Sequence, residues 1–167
     1  DMHDMFHEAS VFIGDISKWD VSRVQNMYGM FSKASSFNGD ISEWDVSSVQ
    51  SMHGLFLASS FNGDISKWDV SSVQTMYGMV SMAQSFNGDI AKWDVSHVKD
   101  MSGMFGKASA FNGDTSKWDV SRVQGMLGMF YEASSFNGDI SKWDVSSVTN
   151  MDSMFSEAPV PVAAGPN

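Results

Sequence analysis

Residues 19–43 read WDVSRVQNMYGMFSKASSFNGDISE, and nearly the same 25 residues recur along the whole chain. Tryptophan marks each copy, with spacings of 25, 24, 25, 25 and 25 residues. The six tryptophans are Trp19, Trp44, Trp68, Trp93, Trp118 and Trp143. A fixed period of this length indicates stacked repeat units, because no single unit can bury its own apolar residues.

The apolar pattern within one copy predicts two elements and a turn. Trp44 and Val46 alternate around an aspartate, which is the period of a β-strand. From Val46 an apolar residue recurs at every third position as far as Leu55, which favours a tight helical or 3₁₀ arm. Asn-Gly-Asp then favours a turn. The predicted fold is a repeat solenoid of leucine-rich-repeat-like coils, each with a parallel strand (W-D-V), a helical arm (V-x-x-M-x-x-M-F) and an N-G-D turn.

The repeats predict one domain over residues 1–158, made of six to seven coils that start and end within a repeat. Residues 159–167 are rich in proline and alanine, which is typical of a tail or linker. The second unit is one residue short, and the missing residue is placed between Phe56 and Ala58. No apolar run is long enough for a membrane span.

In-register stacking would turn each repeat position into a column. The Trp, Val, Met and Phe columns are best interpreted as core, with the six tryptophans as a core ladder. A copper site of methionine thioethers is the alternative, but Leu55 takes one methionine position. We expect the asparagines of the N-G-D turns to form a structural ladder between coils. They are Asn38, Asn62, Asn87, Asn112 and Asn137.

Two columns of aspartates, one in W-D and one in N-G-D, need neighbours that offset the repulsion between their carboxylates. Neighbouring carboxylates about 5 Å apart repel by roughly 0.8 kcal/mol even in water-like dielectric. We expect the lysines two positions before the W-D aspartates to neutralise that column, and the N-G-D aspartates to accept backbone N–H groups. Calcium binding is the alternative for these carboxylates, although they lack the density of known calcium loops.

Positions that differ between copies point outward in a repeat stack. Six of them carry aromatic, histidine or arginine side chains, which are favoured at protein interfaces. These candidate binding residues are Arg23, Tyr28, His53, Tyr77, His97 and Arg122. An ordinary solvated surface explains them equally well.

Composition excludes several function classes. The formal charge is −10, from 10 basic and 20 acidic residues, which argues against nucleic acid as a partner. There is no cysteine, no nucleotide-binding motif and no histidine that recurs with the serines as a catalytic partner. His3 and His7 could share a helix face and hold a metal, but no third ligand is evident. We therefore predict no catalytic residue, no enzyme activity and no cofactor, with calcium the open question.

The unit resembles the 25-residue, BspA-like leucine-rich repeats of microbial surface proteins. The likeness runs from residue 1 to about 158 and is carried by whole copies such as FNGDISKWDVSSVTNM, residues 136–151, followed by M-F-x-x-A. It implies a secreted or cell-surface scaffold for adhesion to proteins or extracellular matrix, without catalysis and without membrane insertion of this chain. The alternative is a structural protein whose coils stack head to tail into an extracellular filament.

Overall fold

The structure, a computed structural model, describes residues 1–159. Residues 160–167 of the predicted tail lie outside the described residues. Residues 1–159 contain no helix, so none that could cross a membrane, and their only β-pairing is a row of single-residue parallel bridges. The bridged residues are Asn26, Ser51, Thr75, Asp100, Gly125 and Asn150.

The predicted leucine-rich-repeat solenoid of strands and helical arms is therefore wrong. Each unit is instead a series of tight turns, in which an N–H group donates to the carbonyl three residues earlier. In the second unit these turns span 41–44, 46–49, 52–55, 54–57 and 56–59. The fold is a stack of turn-built coils, and hydrogen bonds between units join each coil to the next.

The W-D-V segment is not a strand because a turn lies on either side of it. Trp44 closes one turn through Ile41, and Val46 opens the next. Within residues 1–159, the backbone N–H groups of Asp45 and Val46 make no hydrogen bond to another coil. The contact between coils comes from the indole instead, since Trp44 Nε1 donates to the Ile16 carbonyl at 3.1 Å.

The arm is not a 3₁₀-helix, although its apolar residues recur every third position. Met52, Gly54 and Phe56 donate their N–H groups to the next coil, at 3.1, 2.8 and 2.8 Å. Only the residues between them bond within the coil, so the unbroken i to i−3 series of a helix is absent. Gly54 and Ala58 also have φ of +58° and +52°, which a right-handed helix does not allow.

Aromatic rings form the core of the stack. Phe31 stacks on Phe37 of its own coil at 4.1 Å between centroids and on Phe56 of the next coil at 5.6 Å. Trp44 is 4% exposed, whereas Trp19, in the first coil, is 39% exposed. The indole N–H groups of the later tryptophans donate to a carbonyl of the preceding coil, so each buried ring has its polar atom paired.

The short unit keeps its place in the stack, but the missing residue is not between Phe56 and Ala58. Lys33 has a positive φ of 58°, and in the next coil Ala58 is the residue with the same conformation. Ser59 therefore directly follows the positive-φ residue, at the position where the full-length units carry alanine. The deletion lies between Ser59 and Phe61.

A serine hydroxyl compensates for this deletion. In a full-length unit the Phe37 N–H donates to the Ala34 carbonyl at 3.1 Å. In the short unit the Phe61 N–H donates to Ser59 Oγ at 3.3 Å. The exchange of alanine for serine thus supplies an acceptor at the point where the shortened chain has lost one.

Candidate binding groove

A strip of glycine crosses the coils on one surface of the stack. The glycine before the second methionine of each arm has φ between +55° and +62°, a conformation that favours glycine. These residues are Gly29, Gly54, Gly78, Gly103 and Gly128. Asp4 and Ser153 hold the same place and conformation in the end coils, with φ of 53° and 56°. The strip is the floor of what we call the glycine groove.

The first wall of the glycine groove consists of the residues just before this strip. Its rings lie in a row, with centroids 4.7 Å apart for His3 and Tyr28, 4.5 Å for Tyr28 and His53, and 4.6 Å for His53 and Tyr77. Burial lowers the pKa of His53, which favours the neutral ring. The structure thus brings three of the predicted binding residues, Tyr28, His53 and Tyr77, into one row.

The second wall consists of the residues three positions after the strip. They are His7, Ser32, Leu57, Ser81, Gly106 and Tyr131. Cavities of about 120, 250 and 260 Å³ lie in a row between the walls. The first two share His53 and Leu57, and the last two share Tyr77 and Ser81. The groove is therefore continuous from Asp4 to Tyr131.

Exposed apolar side chains concentrate on this groove. Tyr28, Tyr77, Met82 and Leu127 are 37%, 43%, 49% and 43% exposed. The other large hydrophobic residues that are exposed within 1–159 belong to the first and last coils. Inside the stack, exposed apolar surface is thus confined to one groove.

The remaining three predicted binding residues lie elsewhere. His97 and Arg122 line a polar depression of about 650 Å³, together with Lys99 and two glutamines. Arg23 lines neither this depression nor the glycine groove. Sequence reasoning therefore joined two separate surfaces into one candidate site.

Sequence reasoning also missed part of the groove. Leu57, Gly106 and Tyr131 belong to the second wall, and Met82 lies beside it. The signal was present, because the second-wall position carries histidine, serine, leucine, glycine or tyrosine in different copies. Only the turn geometry shows that this position and the Tyr28 position lie on opposite sides of the same glycine.

Hydrogen bonds compensate both aspartate columns. Asp45 Oδ1 accepts the Ser47 backbone N–H at 3.1 Å and the Ser47 hydroxyl at 2.6 Å, and these bonds lower the pKa of Asp45. Asp40, in the N-G-D segment before the turn 41–44, accepts the Ser42 N–H at 3.0 Å, and the prediction of backbone donors there is confirmed. Each carboxylate is held by its own turn.

The expected neutralisation of the W-D column by lysine is wrong. Within residues 1–159, no lysine nitrogen lies within 4.0 Å of an aspartate of either column. Lysines pair with glutamates of adjacent coils instead, as Lys67 does with Glu43 at 2.7 Å. No three acidic or histidine side chains of the described range are grouped to hold a metal ion.

The predicted N-G-D turn is wrong, because the N-G-D residues lie between two turns and contain none of their own. The asparagines of these segments join adjacent coils. Asn38 Oδ1 accepts the Asn62 N–H at 2.8 Å, and this bond repeats along the column as far as Asn137. Steric hindrance requires glycine at the next position, because a Cβ on Gly63 would lie 2.8 Å from the buried Phe61 ring. The N-G pair therefore maintains the stack.

Comparison with protein families finds a match at residues 1–87 and at residues 57–162, to the family described as Mycoplasma protein of unknown function, DUF285. The chain belongs to the DUF285 family. The two DUF285 matches overlap, as expected for a repeated unit. Comparisons with the curated proteins and with the solved structures found no match. The DUF285 description assigns no activity.

Proposed function

We propose that this chain is a non-enzymatic scaffold, secreted or displayed on the cell surface, that binds other proteins or extracellular matrix along the glycine groove. The main support is the confinement of exposed apolar side chains to that groove inside the stack. A grouped set of exposed apolar residues marks an interaction site. The resemblance of the repeat to BspA-like repeats of microbial surface proteins supports the surface location and the adhesive role.

The shape of the groove favours a polypeptide over a small molecule. Each of its three cavities is smaller than the roughly 300–1,000 Å³ of a typical ligand pocket, yet together they extend across several coils. From Gly54 to Gly128 the floor is glycine and has no side chains, so an extended chain can approach the backbone closely there. The partner would then contribute apolar side chains to successive cavities.

The partner does not add a β-strand to the floor. The Gly54 N–H already donates to the Tyr77 carbonyl at 2.8 Å, and the Gly78 N–H donates to Ser102 at 2.9 Å. These donors are thus unavailable for strand addition. Binding would depend on the wall side chains, and their substitution should weaken it.

Biolayer interferometry with a panel of purified extracellular-matrix proteins tests the proposal. The double variant Tyr28→Ser/Tyr77→Ser removes two wall rings and introduces the residue found at position 102 of the same column. We expect at least one matrix protein to bind the wild-type chain, and the variant to bind roughly tenfold more weakly. The control Arg23→Ser/Arg122→Ser should bind like the wild type. Equal binding by both variants, or no binding by the wild type, would overturn the proposal.

The second candidate is the head-to-tail filament. Inner coils join through repeated backbone hydrogen bonds, such as those from the Gly54 N–H to the Tyr77 carbonyl and from the Gly78 N–H to the Ser102 carbonyl. A coil of another copy would join by the same kind of contact, which repeats without closing. Fibres in negative stain, and a sedimenting mass that grows with concentration, are expected. Monodisperse monomers at all concentrations would contradict the filament.

A further inference from the structure

We infer that the glycine groove contains an anchor pocket, centred on Gly106, that takes one planar aromatic ring. The inference rests on the proposed function in one respect, namely that the ring is a side chain of the protein partner. The pocket is the third cavity of the groove, of about 260 Å³. It identifies the kind of residue that the partner must present.

Apolar and aromatic side chains surround this pocket. Tyr77 and Leu127 lie on the first wall, and Tyr131 lies on the second. Met82 lies at the edge with 49% exposure. The polar neighbours are Ser81, whose hydroxyl donates to the Gly106 carbonyl at 3.2 Å, and Lys107. The Lys107 ammonium lies 3.2 Å from a Glu132 carboxylate oxygen and 5.4 Å from the Tyr131 ring centroid. The lining is thus largely apolar, and its one cation is already paired.

Gly106 leaves the second wall of this pocket open, because it has no side chain. The same column carries leucine at Leu57 and tyrosine at Tyr131. Gly106 does not have a positive φ, and a Cβ built on it would meet no atom closer than 3.4 Å. The fold therefore does not require glycine here, in contrast to Gly63, where a Cβ would clash with a phenylalanine ring. Position 106 is the one second-wall site that carries glycine, and neither φ nor steric hindrance requires it.

The dimensions and walls suit a ring. A closed apolar cavity of about 150 Å³ holds benzene, so about 260 Å³ in an open pocket accommodates an indole or phenol ring. The row of rings on the first wall ends at Tyr77, because Ser102 follows it. Aromatic pairs are favourable at centroid distances of 4.5–7 Å, the range of the rows already present in this structure. A partner ring would extend the aromatic contacts from Tyr77 towards Tyr131.

Titration of the full chain with N-acetyl-tryptophanamide, followed by ¹H–¹⁵N NMR, tests the pocket. We expect shifts grouped at Gly103, Gly106 and Leu127, with a dissociation constant on the order of millimolar. N-acetyl-leucinamide should bind several-fold more weakly. Equal binding of the two amides, or shifts grouped at Tyr28 and His53 instead, would overturn the inference.

Gly106→Leu fills the pocket with the residue that position 57 carries, and should reduce tryptophanamide binding roughly tenfold. Gly106→Ala is the matched control, because one methyl group leaves most of the cavity open and should preserve binding. If Gly106→Leu fails to fold, Tyr77→Ser supplies the same test from the other wall. Unchanged binding by a folded Gly106→Leu variant would contradict the pocket.

The two proposals fail in different ways. If tryptophanamide binds at Gly106 but no matrix protein binds the wild-type chain, the proposed function fails and the pocket remains a ring-binding site. If a matrix protein binds and Tyr28→Ser/Tyr77→Ser weakens it, while Gly106→Leu changes nothing, the groove stands and the anchor pocket fails.

Discussion

Replacing Ser59 by alanine should destabilise the chain, because the Ser59 hydroxyl accepts the Phe61 N–H in the unit that lacks one residue. Phe61 is 0% exposed and Ser59 is 5% exposed, so water cannot replace the lost acceptor. An unpaired buried N–H costs about 1–3 kcal/mol. The bond is long at 3.3 Å, which places the expected loss in the lower half of that range, about 1–2 kcal/mol.

Urea unfolding monitored by tryptophan fluorescence measures this loss. With a slope of about 2 kcal/mol/M, the midpoint should fall by about 0.5–1 M while the slope stays constant. Ser85→Ala is the matched control, since Ser85 is exposed and its substitution should change the free energy of unfolding by less than about 0.5 kcal/mol. A Ser59→Ala variant as stable as the Ser85→Ala variant would refute the compensating role of the hydroxyl.

Three further predictions follow from single residues and from the aspartate columns. Thr115 is 0% exposed and its hydroxyl makes no hydrogen bond within residues 1–159, so Thr115→Val should gain about 1–2 kcal/mol. Calorimetry should then show a melting temperature a few degrees higher, and a lower one would contradict the unpaired hydroxyl. Gly103→Ala should cost about 1–2 kcal/mol in urea unfolding, because φ is +62° even though a Cβ there meets no atom. Gly106→Ala, without positive φ, should cost less, and equal costs would refute the conformational explanation. Hydrogen bonds to serine hold the pKa of Asp45 and Asp119 below the ordinary value, so their stabilisation is complete above about pH 4 and is lost as pH falls through the folded-state pKa. In circular dichroism melts, protonation of His53, whose pKa is lowered by burial, should cause a small loss from about pH 7 to 5, and the larger loss should come below about pH 4. A melting temperature that does not fall further below about pH 4 would contradict this origin.

The sequence reveals the repeat, its period and the bonds of the N-G-D aspartates, because these depend on local chemistry repeated in every copy. It does not reveal the turns. An apolar residue at every third position fits both a 3₁₀-helix and a series of three-residue steps between turns, and the difference lies in where the backbone N–H groups donate. The positive φ of Lys33 and Met82 also cannot be predicted from the sequence, since neither residue type favours that conformation.

The groove was predictable only in part, for the same reason. Variation between copies singled out Tyr28, His53 and Tyr77, and these residues lie together in the structure. The position of Gly106 and Tyr131 also varies between copies. Its relation to the first wall depends on the turn that lies between the two positions. Pairing the two columns across the glycine strip requires the backbone path.

Amide hydrogen exchange by NMR tests most directly whether each unit is a turn-built coil. In the structure the Gly54, Phe56 and Ala58 N–H groups donate to the next coil, at 2.8, 2.8 and 2.7 Å, and should exchange slowly. The Asp45 N–H makes no backbone hydrogen bond within residues 1–159 and the residue is exposed, so it should exchange orders of magnitude faster. Protection of Asp45 and Val46 equal to that of Gly54 would show a paired W-D-V strand and would contradict the turn-built coil.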